Sequence, residues 1–194
     1  MPYDNLFLFP LKLGVSTDED FLYQQEMIEW IIRYKENDVD NTVEISNCGG
    51  YQSRENFYME PAAEDFTMFL DKIWKQINET IKNYSEGLST LKNNRIALQN
   101  IWLNVNGPGS FNHKHQHPGS LLSGVLWVKT PENSGSLIMH DPLEMNTYPL
   151  GPNVFKFEPI EGAMVLFPAC IPHNVMPNKS QEDRISISFN LDFG

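Results

Sequence analysis

Ten consecutive residues near the C-terminus alternate without a break. Arg184, Ser186, Ser188, Asn190 and Asp192 are polar, and Ile185, Ile187, Phe189, Leu191 and Phe193 between them are apolar. Successive side chains of a β-strand point to opposite faces, so this segment fits a strand with one polar and one apolar face. A polar face of that kind ordinarily meets water. A second segment repeats the arrangement, however: Trp102, Asn104 and Asn106 stand opposite Ile101, Leu103 and Val105. Two such strands are best explained if their polar faces line an internal cavity and their apolar faces are covered by helices.

The rest of the chain supplies both components. From Ala97 onward, apolar alternation is punctuated by Gly and Pro, giving strands at Ala97–Asn106, Leu121–Lys129, Ser136–His140, Val154–Phe157, Ala163–Phe167, Asn174–Met176 and Arg184–Phe193. Seven or eight short strands with turns between them predict a sandwich or small barrel. The first half reads as helical. Ser16 and Glu19 suggest a capping box, followed by Phe21, Leu22, Gln25, Ile28, Ile31 and Ile32 at helical spacing to about Lys35. A second stripe runs through Phe66, Leu70, Ile73, Ile77, Ile81 and Tyr84, with Gly87 as its stop. The expected architecture is one domain over residues 1–194: a helical buttress over 1–95 and a mainly β core over 96–194.

Composition narrows the function classes. A net charge of −11 with no basic patch disfavours nucleic acid. No apolar run approaches the roughly 20 residues that a membrane helix needs, and the opening Met1-Pro2-Tyr3 lacks the basic region of a secretory signal. Cys48 and Cys170, far apart and without metal-finger spacing, read as reduced thiols. A cytoplasmic location is therefore expected. Oligomeric state is not legible.

All five histidines lie between His113 and His173. His115 and His117, two apart, share a face of a regular strand, and Pro118 sets the limit of pairing. His173 can join them only if the chain folds back on itself. Eleven residues after it stands Arg184, with Ser186 two further on. That pairing suits a small anion held beside a metal, because a guanidinium fork donates two parallel hydrogen bonds to a carboxylate. His113-Lys114-His115 is an alternative register for the metal pair, and Asp141 an alternative carboxylate ligand.

The segments Gly109–Ser120, Leu122–Val128, Gly162–Pro168, Pro172–Val175 and Arg184–Asn190, with Ser46–Ser53 upstream, resemble the 2-oxoglutarate/Fe(II)-dependent oxygenases. They are similar in particular to a branch found in marine bacteria and their phages. The resemblance implies a double-stranded β-helix, the cupin-like jelly-roll barrel. It implies Fe(II) at His115, His117 and His173, and 2-oxoglutarate as cosubstrate with its far carboxylate on Arg184 and Ser186. Asn104 and Asn190 would face the cavity and reach the cosubstrate. The implied reaction hydroxylates a small molecule or peptide side chain, releasing succinate and CO2. One departure stands out: most such sites use two histidines and one carboxylate, and this chain has a histidine in the carboxylate's place. Two other readings remain open at this point: a three-histidine Zn or Fe enzyme that uses no oxo acid, and a non-catalytic jelly-roll binding module. The loops Asn133–Gly135 and Tyr148–Asn153 are expected near the entrance.

Overall fold

The computed structural model describes residues 3–8, 11–18, 21–86, 88, 91, 93–142 and 154–194, with side chains from residue 13 onward. Twelve strands and two α-helices are present among them: β1 (Tyr3–Leu8), β2 (Leu11–Thr17), α1 (Gln24–Asp38), β3 (Asn47–Cys48), β4 (Tyr51–Gln52), α2 (Thr67–Tyr84), β5 (Ile96–Asn106), β6 (Phe111–His115), β7 (Leu122–Lys129), β8 (Leu137–His140), β9 (Val154–Phe157), β10 (Ala163–Pro168), β11 (His173–Val175) and β12 (Arg184–Phe193).

The strands form two antiparallel sheets. The larger has the order β1-β2-β10-β7-β12-β5-β4 and the smaller β3-β6-β11-β8-β9. At the centre of the larger sheet, β12 pairs with β5 so that Arg184 faces Asn106, Ser186 faces Asn104, Ser188 faces Trp102 and Asn190 faces Asn100. The two polar stripes therefore coincide and line the space between the sheets. The apolar stripes turn outward. There Ile101, Leu103, Ile185, Ile187 and Phe189 share one buried cluster with Met27, Trp30 and Ile31 of α1 and Ile73 and Ile77 of α2. A second cluster, with Leu13, Trp127, Leu137, Met139, Val165 and Phe167, fills part of the space between the sheets. The architecture is a double-stranded β-helix with helices packed on the outside of the larger sheet.

The N-terminal half departs from the helical expectation. Four strands come from it, β1 to β4, and all join the sheets. The signal was the alternation Leu11, Leu13, Val15, of which Leu13 and Val15 join the inter-sheet cluster. Ser16 is not a helix cap. It lies in β2 opposite Met164, and its hydroxyl bonds Thr80 Oγ1 on α2 at 2.7 Å. Helix α1 begins eight residues later, at Gln24, without a side-chain cap. Its buried stripe is Met27, Trp30, Ile31 and Tyr34, so Leu22 is left exposed. The second stripe matches the expectation more closely: Phe69, Ile73, Ile77, Ile81 and Tyr84 of α2 are buried. Gly87, Glu19 and the Tyr148–Asn153 loop lie outside the described residues.

Phe189 joins the sheet to the helices. Its fully buried ring lies over Gly124 of the neighbouring β7, where a Cβ would overlap it. Phe189→Ala is expected to lower the unfolding free energy by about 3–5 kcal/mol. Denaturant titration would check this, and a loss below 1 kcal/mol would mean that the helix–sheet cluster is not what holds the fold.

Candidate metal and anion site

The cavity between the sheets holds about 260 Å³ and is lined by residues of both. Its histidines come from the smaller sheet. His173 opens β11 and pairs directly with His115, the last residue of β6. The β6–β11 register slips between His173 and Val175, so that Val175 faces Asn112. This bulge alters which residues turn inward. Asn112 and His115, three apart, both line the cavity. His113 instead is exposed and packs edge-on against Phe111. The register His113/His115 is therefore not the one that builds the cluster. His117 lies past the end of β6. Its N–H bonds Ala169 O at 3.1 Å, and its ring stacks on Trp102 at 5.6 Å between centroids.

One ligand nitrogen from each of His115, His117 and His173 lies within 4.8 Å of the others. His117 Nε2 and His173 Nε2 are 3.2 Å apart. Two of the rings are held from behind: His115 Nδ1 lies 2.7 Å from His113 O, and His173 Nδ1 lies 2.9 Å from Ile171 O. Those carbonyls only accept, so each Nδ1 carries the proton and each Nε2 lone pair is free for an ion, the arrangement that orients metal-binding imidazoles. Burial holds all three rings in the neutral form. It lowers the pKa of His115, takes His117 down to about 4 with a further push from His115, and takes His173 well below the ordinary value, the other rings adding to the effect. Asp141 is not among the residues that group with the three histidines. Its neighbour His140 bonds Asn174 Oδ1 at 2.6 Å.

Arg184 lies in the same cavity and is 2% exposed. Its Nη1 donates to the backbone carbonyls of Ser134, Gly135 (3.3 Å) and Met176 (3.4 Å). Burial lowers the guanidinium to about 10, which leaves it charged at neutral pH. No ion pair to Arg184 occurs among the described residues. A buried cation held only by carbonyl dipoles at one nitrogen is an incomplete arrangement, since desolvating a charge costs several kcal/mol unless it is paired.

Other expected residues take up defined places. Ser186 and Asn104 stand opposite each other on the cavity wall. Asn104 Nδ2 donates to Ser188 Oγ at 3.1 Å, and Asn190 Oδ1 accepts from Ser123 Oγ at 2.6 Å, so each amide has one end committed. The Asn133–Gly135 loop is not at an entrance; it lies behind Arg184 and supplies two of its carbonyls. Nothing in the local sequence announced that role except Gly135. At φ +93°, a Cβ there would overlap Met176 O and come within 2.9 Å of Arg184 Nη1. Asn100, Asn112 and Gln52 also line the cavity. Asn100 was accessible to sequence reasoning, since it shares a strand face with Trp102 and Asn104. Gln52 arrives through β4 pairing with β5, which no local pattern signals. Cys48 and Cys170 are both free thiols.

Residues 100–190 match the model of a family described as "Putative 2OG-Fe(II) oxygenase". No curated protein matches the chain. Among solved structures, an oxidoreductase of the 2OG-Fe(II) oxygenase family from Burkholderia pseudomallei aligns over 51% of this chain and about half of its own length (46%), at 17% identity and TM-score 0.43. A Pseudomonas putida prolyl-4-hydroxylase aligns over 94% of this chain and 93% of its own, at 18% identity and TM-score 0.57. A Trichoplax adhaerens prolyl hydroxylase, solved with a hypoxia-inducible factor peptide fragment, aligns over 93% and 83%, at 16% identity and TM-score 0.65. At such identities the two longer alignments bear on the fold, and they agree with the double-stranded β-helix. No described helix is long and apolar enough to cross a membrane.

Two outcomes follow from this geometry. Gly135→Ala is expected to cost about 1–3 kcal/mol of unfolding free energy through its left-handed backbone and its overlap with Met176 O, read by denaturant titration; an unchanged midpoint would mean that the loop relaxes freely. The rings set a pH dependence. Below about pH 6.5 an unfolded imidazole binds a proton that the folded one refuses. Stability of chelator-treated protein therefore falls as pH drops through the window from there to about 4 for His117. Urea unfolding at several pH values should show that fall, and His117→Gln should flatten it.

Proposed function

We propose that this chain is a 2-oxoglutarate- and Fe(II)-dependent dioxygenase, and so an oxidoreductase, hydroxylating a small molecule or peptide side chain. The observation that carries the reading is the pairing, in one cavity, of three convergent neutral imidazoles with a buried guanidinium that has no carboxylate partner among the described residues. The donor set fits the metal: His115, His117 and His173 offer borderline nitrogen ligands of the kind that suit Fe(II). Arg184 fits the cosubstrate, since a dicarboxylate supplies the anion that the buried charge lacks.

His115, His117 and His173 would hold the ion, with Trp102 fixing the plane of His117 and the His113 and Ile171 carbonyls fixing the other two rings. Arg184 would hold the far carboxylate of 2-oxoglutarate, with Ser186 and the free ends of the Asn104 and Asn190 amides as further hydrogen-bonding partners. When bound, Fe(II) and 2-oxoglutarate supply oxidative decarboxylation to succinate and CO2 coupled to hydroxylation of a C–H bond. The chain's own part is to orient and enclose. The apolar cluster of Trp127, Leu137, Phe167 and neighbours keeps part of the inter-sheet space dry, which strengthens every charge interaction beside it. Three neutral ligands from His115, His117 and His173 would leave the ion's charge uncompensated by protein, which would favour a dianionic cosubstrate with its far end on Arg184. Zn(II) suits the same three nitrogens. The guanidinium favours the oxo-acid reading, because a zinc-bound water has no use for a buried cation.

Anaerobic addition of Fe(II) and then 2-oxoglutarate should develop the visible charge-transfer band of the chelate. Arg184→Ala should weaken 2-oxoglutarate binding by about thirtyfold or more while Fe(II) retention stays unchanged, and Arg184→Lys should recover part of the loss. If metal and oxo acid are lost together from a variant with unchanged circular dichroism, Arg184 is structural. If neither binds the parent protein, the oxygenase reading falls.

A further inference from the structure

The cavity is electrically polar along its length. Among its described lining residues, Arg184 is the one Lys or Arg and Glu55 the one carboxylate. The β5 register sets how far apart they act. Arg184 stands opposite Asn106, and Glu55 bonds Asn100, six residues back along the same strand, or about 20 Å at the usual rise. Trp102, which carries the His117 ring on its face, stands between them. One end is thus cationic and the other acidic, with the imidazoles between.

The acidic end also offers an unused acceptor. Asn100 Nδ2 donates to Glu55 Oε2 at 2.9 Å. A carboxylate only accepts, so the amide's orientation is not ambiguous. Its Oδ1 is left pointing the other way, buried and without a hydrogen-bond partner among the described residues. An amide oxygen left in this state costs free energy unless something donates to it. Ile45, 76% exposed, lines the same cavity and offers apolar surface.

Resting on the oxygenase reading of this cavity, we propose that the substrate bears a cationic donor group, an ammonium or guanidinium on an aliphatic stem. That head would pair with Glu55, beside the unpartnered Asn100 Oδ1 and at the opposite end from the oxo acid. A second anion is disfavoured here, since the Glu55 carboxylate repels it and no Lys or Arg other than Arg184 is among the described lining residues. The two ends therefore sort two ligands by charge, and the cosubstrate and the substrate do not compete for Arg184.

Calorimetric titration with n-butylguanidinium, n-butylurea and pentanoate separates the possibilities, since the three share a stem and differ in head charge. Ni(II) takes the place of iron to prevent turnover, and each probe is titrated both with and without metal and 2-oxoglutarate. The guanidinium should bind about fivefold tighter than the urea, the size of one partly exposed charge pair, with pentanoate weakest. Glu55→Gln, isosteric and at an exposed position, should bring that ratio close to one and leave 2-oxoglutarate binding unchanged. Equal affinity for urea and guanidinium, a ratio untouched by Glu55→Gln, or no cationic binding at millimolar concentration each overturns the assignment. Binding of 2-oxoglutarate to the Ni(II) protein is read alongside. Its failure counts against the oxygenase reading, whereas its success without the guanidinium preference counts only against the substrate class.

Discussion

The register of β12 on β5 governs everything else in this molecule. Because side chains alternate with a period of two, a slip of one residue would exchange the faces of the strand. Arg184, Ser186, Ser188 and Asn190 would then turn towards α1 and α2, and Ile185, Ile187 and Phe189 would fill the cavity. That alternative is excluded by burial on both sides at once: the outer stripe is covered by helix side chains, and the inner stripe finds amide and hydroxyl partners on the flanking strands, Asn104 of β5 for Ser188 and Ser123 of β7 for Asn190. The larger sheet is thus both the structural wall and the polar lining, and its stability and its chemistry come from the same ten residues.

The site balances opposing electrostatic demands. Burial removes charge from the histidines, which makes them available as ligands. The same burial cannot discharge Arg184, whose guanidinium stays protonated even when lowered to about 10. Carbonyl oxygens of Ser134, Gly135 and Met176 compensate one nitrogen by dipole alone. Neutral imidazoles at the centre of the cavity and a retained cation at one end bias that end towards a single anion. A ligand set containing a carboxylate would weaken that bias.

Much of this is legible in the amino-acid sequence itself. The alternation from Arg184 to Phe193 and from Ile101 to Asn106 foretold two amphipathic strands with a shared polar side, the spacing of His115 and His117 foretold a shared face, and the resemblance to the oxygenases implied that His173 meets them. What escaped was non-local. Ser16 resembles a helix cap in isolation, yet β10 needs a partner along its free edge and β2 supplies it, overriding local helix signals. The Asn133–Gly135 turn carries no mark of its function because it works through backbone carbonyls, which every residue possesses. Glu55 and Gln52 reach the cavity through the short β4 pairing and the turn after it, where composition has no periodicity to reveal.

The slip between β6 and β11 has a wider meaning for how such a centre evolves. It works as a clutch between strand phase and ligand phase: a histidine at 113 idles at the surface while 115 is engaged. Membership of the three-histidine cluster here is decided by backbone phase, not by residue type. A lineage could therefore gain or shed surface histidines at position 113 without disturbing the centre, because the extra residue between Asn112 and His115 lets both of those side chains face the cavity.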